Sequence, residues 1–112
     1  MIPAYLLHPA ARDEFHDILD YYASIDRSNS DSHLALAFEG AFDHHMNQIV
    51  GNPEMHATHR GLVRRAKLTP RFSQHYIAYM VWENRVVVLA LGHARRRPYY
   101  WRNRIGDPPK ST

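Results

Sequence analysis

"QHYIAYMVWENRVVVLALGH", residues 74–93, is the stretch that decides the fold. Two runs rich in β-branched and aromatic residues flank Glu83-Asn84, a pair suited to a two-residue turn. The stretch therefore predicts a hairpin with strands over 74–82 and 85–93. The second run contains "VVVLAL", apolar without alternation, which is the pattern of a strand covered on both faces.

Outward from the hairpin, the preceding segment "GLVRRAKLT" (61–69) alternates. Leu62, Ala66 and Leu68 fall on one side together with Arg64, and Val63, Arg65 and Lys67 on the other. Before it the period changes to helical. Ala35, Phe38, Phe42, His45 or Met46, and Ile49 form one stripe over 33–50, and "GNP" at 51–53 supplies a glycine cap and a proline stop. In "PAARDEFHDILDYYAS" the positions Phe15, Ile18, Leu19 and Tyr22 make a second stripe. Pro9 suits the first turn, and Asp13 and Glu14 are placed to favour the helix dipole. The polar "IDRSNSDS" separates the helices, with Asp31 or Ser32 as the expected cap of the second. A short connection makes them an antiparallel hairpin. "AYLLH" (4–8) has β character. The order is β-α-α-β-β-β: an α+β fold in which an antiparallel sheet carries the helical hairpin on one face.

Length and composition set bounds on this reading. At 112 residues the chain is one domain, read as 1–105, followed by a tail over 106–112. It has no cysteine, which excludes disulfides and thiolate chemistry and favours a cytoplasmic setting. The start lacks the features of a signal peptide, and no apolar run is long enough for a membrane helix.

The net charge of +3 conceals a strong asymmetry. Residues 1–59 hold 2 basic and 9 acidic side chains, or −7, whereas residues 60–112 hold 12 basic and 2 acidic, or +10. Such a division points to an anionic partner for the C-terminal half. The cations concentrate in "LGHARRRPYYWRNR" (91–104), where Arg95, Arg96 and Arg97 precede Tyr99, Tyr100 and Trp101. Stability alone does not call for such a patch. Cations beside rings suit a target-binding surface, because both base stacking and protein hot spots use these neighbours. The bland alternative is a solvated sheet end. Trp82 and Trp101 are expected as packing anchors, and the pair Tyr21-Tyr22 as packing rather than chemistry.

"HPAARDEFHDILDYYA", "AFEGAFDHHMNQIVGNP" and "HYIAYMVWENRVVVLALGHARR", in this order, resemble the RelE/ParE superfamily of bacterial toxins from type II toxin–antitoxin modules. The resemblance covers roughly residues 4 to 101 and implies a toxin neutralised by a cognate antitoxin, within a higher-order hetero-oligomer. Two mechanisms occur in the superfamily. RelE-like members cleave mRNA in the ribosomal A site without metal, and ParE-like members poison DNA gyrase.

Metal-free RNA cleavage needs a base for the 2′-hydroxyl, cations for the phosphate and an acid for the leaving oxygen. Arg65 and Lys67, two apart on a strand, match the alternating basic pair of RelE-like nucleases, and Arg96 falls where those have an arginine after the last strand. Tyr99 or Tyr100 could stack a base or move a proton, and His93 could act as acid or base. Where RelE-like enzymes have an arginine at the start of the third strand, this chain has Tyr76 beside His75. "QHYIAY" and "GHARRRP" look closer to ParE-like members.

Other chemistries find little support. His56 and His59 are spaced H-x-x-H, but hydrogen-bonded or solvated histidines are the expectation, with no metal and no cofactor. There is no glycine-rich phosphate loop, nucleophile elbow or pair of catalytic carboxylates. Outside the toxin class, the alternative is a non-toxic RNA- or DNA-binding module that uses the basic half.

Overall fold

The computed structural model describes residues 4–29 and 31–106. Its elements run β1 (Tyr5–Leu7), α1 (Pro9–Ser28), α2 (Leu34–Gly51), β2 (Thr58–Arg60), β3 (Val63–Leu68), β4 (Phe72–Trp82) and β5 (Arg85–His93), with a 3-10 turn over Arg102–Arg104. The expected α+β architecture stands: two helices pack on one face of a sheet ordered β1-β5-β4-β3-β2. The β4–β5 turn is the one the sequence predicts. Glu83 and Asn84 both take positive φ, 50° and 63°, which the primed turn of a tight hairpin requires.

The sheet is mixed, not antiparallel. β1 lies parallel to β5, pairing Tyr5 with Val86 and Leu7 with Val88. β2 falls in "MHATHR" (55–60), where the order β-α-α-β-β-β places no strand, and it pairs antiparallel with β3. β3 with β4 and β4 with β5 are antiparallel too, so β1, β3 and β5 run one way and β2 and β4 the other. Three residues carry too little periodicity to betray such a strand.

The helix ends also differ from expectation. α1 begins at Pro9, and the His8 ring accepts the Ala10 N–H at 3.1 Å. It continues to Ser28, and its first turn holds no acidic residue, because Asp13 and Glu14 lie just beyond it. Neither Asp31 nor Ser32 caps α2. Asp26, reaching across from α1, accepts the Leu34 and Ala35 N–H groups at 2.7 and 2.9 Å, and the Ser32 hydroxyl as well. These bonds, the Ala35 N–H foremost, hold the Asp26 carboxyl below its ordinary pKa. Gly51 ends α2 from inside, and Asn52 is the residue that caps it.

Both faces of the sheet are covered. On one side Phe38, Phe42, Ile49 and Tyr22 from the helices meet Leu68, Ile77, Tyr79 and Val88. On the other side Val63, Tyr76, Ala78, Met80, Val87, Leu89 and Ala90 surround Trp101. A bulge in β5 shifts the pairing between Ala78 and Tyr79, so consecutive Leu89 and Ala90 share that second face. Leu62 falls in the turn before β3 and is exposed, as is Trp82. From residue 107 on, the expected tail lies outside the described residues.

Candidate functional site

The site is assembled where β5 ends. β4 and β5 pair as far as His75 with His93, and the Ala94 N–H to the Gln74 carbonyl, 2.8 Å, adds one more rung. The His93 ring then accepts the Arg95 N–H at 3.0 Å, while the His93 carbonyl accepts the Arg96 N–H at 3.0 Å. These bonds turn the chain sharply and leave Arg95 and Arg97 exposed. Pro98 fixes the next bend. Tyr99 follows with φ 62°, and the Tyr100 N–H reaches the Arg97 carbonyl at 3.3 Å, the pattern of a type II turn with a non-glycine residue at its strained position. The Tyr99 ring meets Trp101 edge-on, with centroids 5.7 Å apart.

The returning segment lies along β5 and over the second face of the sheet. Trp101 is 1% exposed and donates its indole N–H to the Tyr76 hydroxyl at 3.1 Å. Its ring is therefore core, as a packing anchor should be, and is not displayed at the surface. The Arg65 guanidinium lies 4.0 Å from the centroid of the Tyr76 ring. Lys67, paired across the strands with Tyr76, is exposed beside it.

Arg96 is held from two sides. Its guanidinium stacks 3.6 Å from the Tyr100 ring and donates to the Glu14 carboxylate of α1 at 2.9 Å. Tyr100 donates to the same carboxylate at 2.7 Å, and burial, more than this bond, raises the Tyr100 hydroxyl above its ordinary pKa. Glu14, which the sequence offers only to the helix dipole, and Arg104, one cation of the stretch 91–104, also belong to the site. Their residue types carry no signal, and 90 positions separate them.

A groove of about 710 Å³ opens between α1 and the ends of β4 and β5, lined among others by Tyr22, Gln74, His75, His93 and Arg95. His75, 6% exposed, bonds through Nε2 to the Tyr22 hydroxyl at 3.0 Å, and that hydroxyl also receives the Gln74 amide at 3.0 Å. The His75 and His93 rings stand 5.0 Å apart, edge to face. Burial, and then the neighbouring His93, lower the His75 pKa to about 4.

The five candidate nuclease residues therefore separate into two sets. His93 and Arg96 line the groove on the helical side. Arg65, Lys67 and Tyr99 gather around Tyr76 and Trp101 on the opposite side. The candidate target-binding residues wind round the β5 edge: Arg95 and Arg97 outward, Tyr99 and Tyr100 half-buried, Trp101 inside. Among the described residues no group of three or more His, Asp or Glu side chains is placed to hold a metal ion, and no helix is long and apolar enough to cross a membrane.

Two helices packed on a mixed sheet, with a cationic turn after the last strand, narrow the families to consider. A sequence model of the family described as the ParE toxin of type II toxin–antitoxin systems, parDE, matches residues 5–98. The chain belongs to the ParE toxin family. It is thus a toxin of a type II toxin–antitoxin system, and membership implies a cognate antitoxin as partner. The match spans β1 to Pro98, so the Glu14 carboxylate lies within it, whereas Tyr100 and Arg104 lie beyond its end. No curated protein shows a significant match to the chain.

Proposed function

We propose that this ParE-family toxin arrests growth by acting on DNA gyrase and does not cut RNA. The supporting observation is the division of the candidate nuclease residues between the two sides of the sheet. A single phosphate cannot meet His93 and Arg96 on one side and Arg65, Lys67 and Tyr99 on the other within hydrogen-bond reach. Tyr76 reinforces the reading. Its ring, between Arg65 and the backbone of Gly92, fills the place where a nuclease would carry an arginine.

On this reading Arg95, Arg97 and Tyr99 meet the target, and the antitoxin brings an acidic segment to the basic half. Both act in the cytoplasm. The test compares two assays of the purified toxin. With gyrase and supercoiled plasmid it should accumulate cleaved DNA. In coupled translation, primer extension should show no new mRNA ends. Codon-dependent mRNA cleavage without any effect on gyrase would sink the proposal.

A further inference from the structure

We infer that Glu14 is the positioning residue of the toxin's target-binding surface, a role that rests on the gyrase reading for its target but not for its geometry. The side chain is 12% exposed, and its two oxygens accept five hydrogen bonds. Oε1 takes the Leu91 N–H at 3.1 Å and Arg104 Nη1 at 2.9 Å. Oε2 takes Arg96 Nη1 at 2.9 Å, the Tyr100 hydroxyl at 2.7 Å and Arg104 Nη2 at 3.2 Å. Arg104 is thus gripped at both nitrogens, the geometry that fixes a guanidinium most firmly.

The location explains the need. β1 is short and covers β5 only from Val86 to Val88, after which the His8 N–H donates to the Val88 carbonyl at 2.8 Å. Beyond that point the β5 edge would be open, and an open edge must be satisfied or covered. Here side chains do it. Arg104 donates to the Leu89 carbonyl at 2.9 Å, Glu14 accepts the Leu91 N–H, and the Tyr100 hydroxyl lies 3.4 Å from the Leu91 carbonyl.

Glu14 binds all of this together. Its charge holds both Arg96 and Arg104, which lie 3.6 and 5.2 Å from the Tyr100 ring. Without the carboxylate, two guanidinium groups would share one ring with no anion between them, and the segment from 95 to 104 would lose its common anchor. Arg95, Arg97 and Arg102, exposed on that segment, take their arrangement from it. Glu14 acts through the residues it holds, and its exposure is too low for it to meet the target itself.

The experiment compares Glu14→Gln with Asp13→Asn, an exposed neighbour on α1, in the full-length chain. Two quantities are read: amide hydrogen exchange along the chain, and loss of viable cells after induction. Exchange of residues 95–104 should rise about tenfold or more in Glu14→Gln while β3 and β4 keep their protection. Cell killing should fall at least tenfold, and Asp13→Asn should match the parent in both. If Glu14→Gln does not fold, Glu14→Asp, which keeps the charge and shortens the reach, is read in the same way. The inference is overturned by unchanged exchange at 95–104, by exchange rising throughout the chain, or by killing that persists despite a loosened segment. A parent toxin that kills without affecting gyrase would remove the gyrase reading and leave Glu14 in place.

Discussion

The ring of Tyr76 lies across the backbone of Gly92, its partner on the neighbouring strand. A Cβ at Gly92 would stand 2.1 Å from Tyr76 Cζ. Glycine is needed here for close approach, since no turn occurs at this position. Gly92→Ala should therefore cost about 1–3 kcal/mol in chemical unfolding, the range of an overpacked core. Combining it with Tyr76→Leu should cost less than the two single changes summed. Full additivity would show that ring and glycine are independent.

Arg65 rests on the Tyr76 ring and Lys67 is exposed beside it. Replacing both with alanine should lower stability by only about 1 kcal/mol, the scale of one exposed cation–π contact. Growth arrest should persist in a gyrase poison. Loss of arrest in a variant that keeps its melting profile would return these residues to catalysis.

Truncation after Pro98 removes more than surface cations. It takes away Trp101, the centre of the second core cluster, and Arg104. Losing a buried tryptophan alone costs about 3–5 kcal/mol. The truncated chain should melt well below the parent and be cut faster by proteases, and a parent-like melt would refute a core role for Trp101. Arg95→Ala, by contrast, should change stability by no more than about 0.5 kcal/mol.

Asp26 joins the two helices by accepting the first N–H groups of α2. Asp26→Ala should lower the melting temperature at neutral pH. Because the folded pKa lies below the unfolded one, the contribution is present above the ordinary carboxylate pKa and fades as pH falls through the lower folded value. The difference between parent and variant should shrink in strong acid, as melting curves over a pH series would reveal.

His75 is held neutral. Its pKa falls from 6.5 to about 4, so between these values the unfolded chain binds the extra proton. Stability is then complete above pH 6.5 and is lost as pH drops toward 4, by up to about 3 kcal/mol. His75→Gln should flatten the pH dependence of unfolding in that window. An unchanged slope would assign the acid sensitivity elsewhere.

What the sequence determined by itself was whatever depends on neighbours along the chain. The turn at Glu83-Asn84 and the Pro9 start of α1 are written in local residue types, and the stripe through Phe38, Phe42 and Ile49 in the 3.6-residue period. The two-sided burial of "VVVLAL" was legible because the run is apolar without alternation, and the cationic stretch that follows it was legible in its composition. What covers the second face was not. Only the tertiary structure turned Trp101 inward, laid β1 parallel to β5, and brought Glu14 to Arg104. A carboxylate has no periodicity and can pair with any cation that the fold delivers. Its partner is chosen by closure in space, after β5 has ended and the chain has turned back across its open edge.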